Sequence, residues 1–249
     1  MHYLIYFLDF FKIKVIFRHS IFYIHTDFIQ DNKIFILIRV IKLYYNKRMS
    51  HPFKHLRVVL HHRHLVIYNG FHLGIGFHCL KHDLSKFSKT EFGLSSKFYQ
   101  GTMSPVFAER KAHGYFSEIA KHHTGRNMHH WEYWCDLFIG NLVIKTMPYK
   151  YALEYIADVL SASKTYDPKG FNNASGYNYV SNKIDRYYMT RATKEFILWC
   201  LLEYKNHGFN GLKKKDTLKK YKEIINLYPN VEIYKITLGP SEIKDGDHD

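Results

Sequence analysis

Apolar residues recur at helical spacing along most of this chain. In the stretch 52–68 they fall on one side of an ideal helix of 3.6 residues per turn, namely Phe53, Leu56, Val59, Leu65 and Val66. His62 lies on the same stripe, and the dipeptide Asn69-Gly70 supplies a stop signal. The pattern therefore predicts an amphipathic helix that ends near residue 69 and carries His62 on its apolar face.

Capping and turn signals divide the rest of the chain. Ser88 with Glu91 three residues later is typical of a capping box, and Ser104 precedes a proline suited to the first helical position. Helical spacing also covers about 71–83, 129–138, 147–163, 190–205 and 213–228. The non-periodic stretch 166–182 predicts a long loop, and 231–238 predicts a short strand. A mostly α-helical fold is expected.

Residues 1–48 differ sharply in composition from the rest of the chain. They contain no Gly, Ala, Pro, Glu, Trp or Cys. Such a bias is typical of translated AT-rich non-coding sequence, so we expect a spurious or disordered N-terminal extension with Met49 as the real start. Two alternatives stay open, an ordered accessory segment and a membrane anchor. Charged residues such as Asp9, Lys12 and Asp27 break each apolar run well short of the roughly 20 residues of a membrane span.

The predicted organisation after this extension is a helical domain over 49–205 and a basic C-terminal extension over 206–249. The whole chain has a net charge of +14 and 18 histidines, which favours anionic partners, either phosphorylated substrates or nucleic acid. The cysteines are far apart and form no CxxC pair, so a disulfide framework and a thiolate zinc site are both disfavoured. A reducing, cytoplasmic location without a membrane partner is expected.

The adjacent pair His82-Asp83, with Lys86 three residues on, is the strongest chemical signal. Imidazole and carboxylate together suit divalent transition metals, and a carboxylate has two oxygens with which it can bridge two ions. Further candidate ligands stand on or beside predicted helices: His62, His122, His123, His129, His130 and Asp158. The opposing interpretation is that each is an ordinary core or capping residue, because 18 histidines produce some such spacings by chance.

The order of these residues resembles the HD superfamily of metal-dependent phosphohydrolases. Many of those proteins carry HDxGK, where this chain has HDLSK with Ser85 in place of glycine. At finer grain the chain is similar to domain-of-unknown-function family 5662 over roughly 49–205. The matching pieces are HHRHLV, LKHDLSKFSKTEF, YQGTMSP, HHTGRNMHHWEYW, MPYKYALEYIADVL and MTRATKEF.

The HD resemblance implies an HD-domain-like helical bundle with a helical C-terminal extension and one or two divalent ions (Mn, Fe, Zn or Mg). The first ion would be held by His62, His82, Asp83 and Asp158. Asp83 would bridge to a second ion held by His122 or His123 and by His129 or His130, with one histidine of each pair facing inward. The residues assigned to phosphate binding are Lys86 and Arg126, and those assigned to ligand orientation or proton transfer are Glu132 and Glu154.

The resemblance thus implies a metal-dependent phosphohydrolase for a small phosphorylated metabolite or nucleotide, with Asp83, Lys86, Glu132 and Arg126 as its catalytic residues. One alternative is an HD-type di-iron oxygenase, because some HD proteins use the same ligand order to cleave C–C or C–P bonds. A second alternative, less favoured, is a non-enzymatic module that binds nucleic acid through the basic stretch 213–222 and whose histidines are structural.

Overall fold

The computed structural model describes residues 52–101 and 104–236, together with the backbone of three short N-terminal strands. The strands are β1 (Leu8–Asp9), β2 (Lys12–Phe17) and β3 (Ser20–His25), and they form an antiparallel sheet in the order β1-β2-β3. The chain divides into two compact units, residues 1–50 and 51–249. The prediction for residues 1–48 falls largely outside the described residues and stays a prediction.

The second unit is mostly helical, as the apolar spacing predicts. Its helices are α1 (Pro52–His72), α2 (Gly76–Cys79), α3 (Lys89–Phe98), α4 (Pro105–Ala112), α5 (Glu118–Thr124), α6 (Tyr149–Tyr166), α7 (Ser175–Ser181), α8 (Arg191–His207) and α9 (Lys214–Leu227). Short 3-10 segments cover Leu84–Phe87, Trp131–Trp134, Ile184–Arg186 and Gly208–Leu212. Ser88 caps α3 by accepting a hydrogen bond from the Glu91 backbone N–H, and Pro105 opens α4, so both predicted starts are confirmed.

The core lies where α1, α6 and α8 pack together. Its fully buried apolar side chains include Val66, Leu153, Ile156, Leu160, Phe196, Ile197 and Leu201. A polar contact fixes α1 against α6, because Nδ2 of Asn69 donates to Oγ of Ser161 over 2.9 Å. Buried polar groups need such a partner, so this contact specifies the register of the two helices. These helices carry His62 and Asp158 into the same region.

Three local predictions differ from the structure. The predicted helix over 71–83 is broken at Gly74, which adopts a left-handed φ of 73°, so α1 ends at His72 and only the short α2 follows. The predicted loop over 166–182 contains α7, where Gly176 packs closely against Leu160 and Leu201. In the first case the left-handed glycine ends the helix, a local signal that apolar spacing does not register. In the second case tertiary packing decides the local structure, and the apolar spacing within the segment carries no signal of it.

The third difference is that residues 129–138 do not form a helix. A 3-10 segment leads into β4 (Cys135–Phe138), which pairs with β5 (Asn141–Lys145), and β5 pairs with β6 (Val231–Lys235). Ile139 and Gly140 both adopt left-handed φ values, 46° and 71°, as a tight hairpin turn requires. The strand predicted over 231–238 is confirmed by β6. In the part of the chain that the structure describes, no helix is long and apolar enough to cross a membrane.

Candidate metal centre

The turn that carries His82 and Asp83 is held in place by α1. Nε of Arg63 donates to the carbonyl oxygen of His82 over 3.2 Å, and its NH2 group donates to the carbonyl oxygen of Leu80. Asp83 adopts a left-handed backbone conformation (φ 51°, ψ 31°), which aspartate tolerates better than most residues. The turn buries both side chains, with 1% of His82 and 2% of Asp83 exposed.

A first set of donor atoms forms where this turn meets α1 and α6. The ligand atoms of His62, His82 and Asp83 all lie within 4.8 Å of one another. Asp158 of α6 joins them, because its Oδ1 lies 2.9 Å from Nε2 of His62 and 3.7 Å from Nε2 of His82. The structure therefore brings together all four residues that the sequence proposes for the first ion.

A second set of donor atoms shares Asp83 with the first. It comprises Asp83, His123, His129 and His130, again with ligand atoms within 4.8 Å of one another. Oδ1 of Asp83 lies 3.4 Å from Nε2 of His123 and 3.5 Å from Nε2 of His129, whereas Oδ2 lies 3.2 Å from Nε2 of His82. Each oxygen of Asp83 thus faces a different donor set, which is the arrangement of a bridging carboxylate.

Glu154 orients one histidine from each set. Its Oε1 lies 2.9 Å from Nδ1 of His82 and 3.4 Å from Nδ1 of His129, and its Oε2 lies 2.7 Å from Nε2 of His78. An Nδ1–H group that donates to a carboxylate leaves Nε2 free as a lone-pair donor. The Nε2 atoms of His82 and His129 are the ones that face Asp83. Glu154 and Asp158 share one face of α6, as their spacing of four predicts.

Glu91 fixes the ring orientation of His123, as Glu154 does for His82 and His129. This glutamate is 1% exposed, and its Oε1 lies 2.6 Å from Nδ1 of His123. Its Oε2 lies 3.2 Å from Nδ1 of His122. His122 is therefore tied to Glu91 and stands outside the donor sets among the described residues. Of the two histidines between which the sequence leaves the choice open, His123 is the one that belongs to a donor set.

Both members of the second histidine pair face the centre, although the sequence suggests that one member of each pair does. The difference arises because residues 127–130 form a turn, closed by the His130 N–H donating to the carbonyl oxygen of Asn127 over 3.0 Å. The 100° rotation per residue of a helix does not apply to this turn. The rings of His129 and His130 lie 4.3 Å apart, centroid to centroid.

Several polar atoms of this centre are buried without a hydrogen-bond partner among the described residues. They are Nε2 of His82, Nε2 of His129, Nε2 of His130 and Oδ1 of Asp83. A buried polar atom without a partner costs about 1–3 kcal/mol, so their convergence needs an explanation. Lone pairs of imidazole and carboxylate directed at a common region are what a divalent ion requires. The residues present therefore fit a metal ion.

The buried carboxylates and histidines of the centre shift one another's pKa values. Burial acts to lower the pKa of His82, but the carboxylates of Asp83, Glu154 and Asp158 outweigh it and raise that pKa to about 10. Burial acts to raise the pKa of Glu154, but hydrogen bonds from His129 and His82 lower it to about 2. Burial and the neighbouring histidines hold the pKa of His130 well below its usual range. The carboxylates are therefore ionised and His130 is neutral. A bound cation would take the place of the proton that the raised pKa of His82 keeps on its imidazole.

The three other residues with proposed catalytic roles lie at different places. Nζ of Lys86 lies 2.6 Å from Oδ2 of Asp83, and 30% of the Lys86 side chain is exposed. The positive charge of Lys86 therefore lies between the centre and the solvent. Oε2 of Glu132 is buried without a hydrogen-bond partner among the described residues, and burial raises the pKa of this carboxyl group. Arg126 is exposed and donates to the carbonyl oxygen of His122 over 3.4 Å.

Glu91, His78 and Arg63 have roles in the centre that the sequence does not predict. The capping-box motif that starts at Ser88 marks Glu91 as a helix-capping residue in the sequence. In the structure its carboxylate instead contacts His122 and His123. Of the two hydrogen bonds of a capping box, the one that forms is donated by the Glu91 backbone N–H to Oγ of Ser88. Nothing in the spacing of Arg63 distinguishes it from a solvated surface residue.

A family model described as a family of unknown function (DUF5662) matches residues 51–207. The match covers more than half of the chain and includes every residue of the two donor sets. It confirms the resemblance that the double-histidine and His-Asp motifs indicate, whereas the HD likeness stays a prediction. No curated protein and no solved structure is significantly similar to the chain.

Proposed function

Because the chain belongs to the DUF5662 family, whose function is unknown, we propose its activity from the centre: a metal-dependent phosphohydrolase with an HD-like helical domain. Its substrate class is a small phosphorylated metabolite or nucleotide. The observation that carries the proposal is the position of Asp83 between the two donor sets, with one oxygen facing each.

Two divalent ions fit the donor atoms. The first would be held by His62, His82, Asp83 and Asp158, and the second by Asp83, His123, His129 and His130. When bound, such a pair of ions supplies an activated water near neutral pH and neutralises charge on a phosphoryl group. Five of the seven side chains are imidazoles, which suit iron or zinc, and the carboxylates also suit manganese. Magnesium, which prefers oxygen ligands, fits this set least well.

The chain's own residues would prepare this chemistry. Glu154 and Glu91 fix the ring orientation of His82, His129 and His123 through their Nδ1 atoms. Lys86, ionised beside Asp83 and partly exposed, can bind a phosphate oxygen as a point charge. Glu132 follows the ligand His130 after one residue and can hold a proton, because burial keeps its pKa raised.

The test combines metal analysis with phosphate release. We expect protein purified from metal-supplemented medium to carry a stoichiometric transition metal and to release phosphate from a panel of phosphomonoesters. Asp83→Ala should lose the metal and the activity, whereas Glu223→Ala, which changes an exposed carboxylate of α9, should keep both. Wild-type protein with no metal above the level of Asp83→Ala would refute the proposal.

The imidazole-rich donor set also supports a second candidate, an HD-type di-iron oxygenase, because imidazole ligands suit iron. The two candidates differ in what they require. An oxygenase needs bound iron, shows a visible absorption band that responds to reductant and oxygen, and releases no phosphate from simple esters. A manganese or zinc protein that is colourless and releases phosphate from esters would exclude it.

A further inference from the structure

A cavity of about 740 Å³ lies between the β4–β5–β6 sheet and the segment around Tyr187. Its apolar side is one face of the sheet, on which the register aligns Leu137 with Leu142 and Leu142 with Tyr234. Ile144 lines the same face. A cavity of this volume is in the range that small-molecule sites occupy.

Aromatic rings form another part of the cavity lining. The ring of Trp131 stacks on that of Tyr187, with centroids 5.8 Å apart and planes 18° apart. The ring of Tyr188 meets Trp131 edge-on, with centroids 5.8 Å apart and planes 61° apart. Tyr188 is 56% exposed, so part of this aromatic surface is open. Such a surface favours a flat ring, which gains stacking energy in addition to apolar burial.

Two residues of the cavity lining are neighbours in sequence of a residue of the metal centre. Trp131 and Glu132 both line the cavity, and they directly follow the donor residue His130. Lys194 and Asp185 add polar groups to the cavity lining.

We propose that this cavity binds a planar aromatic group of the substrate while the metal centre holds its phosphate, so that the cavity selects aromatic phosphate esters over aliphatic ones. This proposal rests on the proposed phosphohydrolase function. The apolar face provided by Leu137 and Leu142 would cover one side of the ring, and Trp131 with Tyr188 the other.

The sheet offers a matched pair of variants for the test. Leu142→Trp places a large side chain in the cavity, whereas Ile233→Trp places the same side chain on the outer face of the sheet, where Ile233 is 65% exposed. Binding of 1-naphthylphosphonate and of propylphosphonate to the metal-loaded full-length protein is measured by calorimetry. We expect wild-type protein and Ile233→Trp to bind the naphthyl compound about tenfold more tightly or better, and Leu142→Trp to lose that preference.

A second variant covers the case in which Leu142→Trp does not fold, as judged by circular dichroism. Tyr188→Ala removes an exposed ring, and it should weaken naphthylphosphonate binding about fivefold with little effect on propylphosphonate. Equal affinities of the two phosphonates for wild-type protein, or a preference that both variants keep, would overturn the cavity proposal.

Failure of the phosphohydrolase proposal gives a different result. A naphthyl preference that disappears in Leu142→Trp, in a protein that releases no phosphate from any ester, supports the aromatic cavity and refutes the hydrolase. Phosphate release with identical kcat/KM for 1-naphthyl phosphate and glycerol phosphate supports the hydrolase and refutes the cavity.

Discussion

The carboxylate of Glu154 lies 2.9 Å from Nδ1 of His82, so the nitrogen that His82 turns towards Asp83 is Nε2. The same Oε1 atom lies 3.4 Å from Nδ1 of His129, and His129 also turns Nε2 towards Asp83. One glutamate therefore sets the ring orientation of a histidine in each donor set. Outer carboxylates of this kind raise the basicity of a ligating imidazole as well as fixing its tautomer.

Replacement of Glu154 should weaken both metal sites. Glu154→Gln removes the negative charge beside Nδ1 of His82 and of His129, so both imidazoles become weaker ligands even where the amide oxygen keeps their hydrogen bonds. We expect an affinity loss of about 10- to 100-fold at each site, measured by titration against a chromophoric chelator. The control is Glu223→Gln on the exposed face of α9, which should leave both affinities unchanged. Unaltered binding in Glu154→Gln would contradict the role given to this residue.

Replacement of Glu91 should weaken only one site. Glu91 contacts Nδ1 of His123 over 2.6 Å and Nδ1 of His122 over 3.2 Å, and both histidines lie outside the first donor set. Glu91→Gln should lower the affinity of the second site about 10- to 100-fold and leave the first near its wild-type value. The same chelator titration then shows one weakened step and one normal step. Two equally weakened steps would mean that the substitution disturbs the structure of the whole centre and does not act through His123 alone.

The two aspartates should differ in how many ions they control. Asp83 belongs to both donor sets. Oδ1 of Asp158 lies 2.9 Å from His62 and 3.7 Å from His82 of the first set, whereas its Oδ2 comes only within 3.9 Å of Nε2 of His129 in the second. Asp83→Ala should therefore abolish binding of both ions, and Asp158→Ala should leave about one ion per chain at the second set. Elemental analysis of the purified variants gives the stoichiometry directly. Equal metal contents in the two variants would argue against a bridging role for Asp83.

The extent to which the sequence predicts this centre depends on how local each signal is. His62 lies on an apolar helical stripe, and the spacing of Glu154 and Asp158 puts them on one helix face, so both features are visible within a few residues. The bridge at Asp83 needs the resemblance to a known ligand order. The turn over 127–130 and β4 depend on contacts with segments far along the chain, such as β6, and no local periodicity reports those contacts.

A buried histidine outside the metal centre should make stability depend on pH. His55 is 7% exposed, its ring packs against Phe92 and Tyr99 at centroid distances of 5.5 and 5.1 Å, and its Nδ1 has no hydrogen-bond partner among the described residues. Burial, assisted by the charge of Lys86, lowers the pKa of His55 to about 4. The unfolded chain, with an ordinary histidine pKa of about 6.5, binds the proton more readily between these two values.

The free energy of unfolding should therefore fall as the pH is lowered from 7 to 4, by about 2–3 kcal/mol from this residue. His55→Phe keeps an aromatic ring but cannot be protonated, so its free energy of unfolding should lack this contribution to the decrease at low pH. Urea unfolding of both proteins at several pH values isolates the difference, because other titrating groups are common to both. His64→Gln, a change at an exposed position of α1, should follow the wild-type curve. Parallel curves for His55→Phe and wild-type protein would show that His55 is not the titrating group.

The close approach of α1 and α2 should make two chemically identical substitutions act with opposite sign. A Cβ atom at Gly70 would lie 2.5 Å from Sγ and 2.9 Å from Cβ of Cys79, whose side chain is fully buried. Gly93, in the middle of α3, has nothing within 4 Å of its Cβ position among the described residues. Both glycines are helical, so alanine reduces the conformational entropy of the unfolded chain at each.

Gly93→Ala should raise the free energy of unfolding by about 0.5–1 kcal/mol, because nothing opposes the gain in helix propensity. Gly70→Ala should lower it by about 1–3 kcal/mol, because overpacking against Cys79 exceeds that gain. Urea unfolding followed by circular dichroism measures both changes. Since Cys79 leads directly into the turn of His82 and Asp83, Gly70→Ala should also weaken metal binding, whereas Gly93→Ala should not. Stabilisation by both substitutions would show that α1 and α2 are not packed as closely as the structure has them.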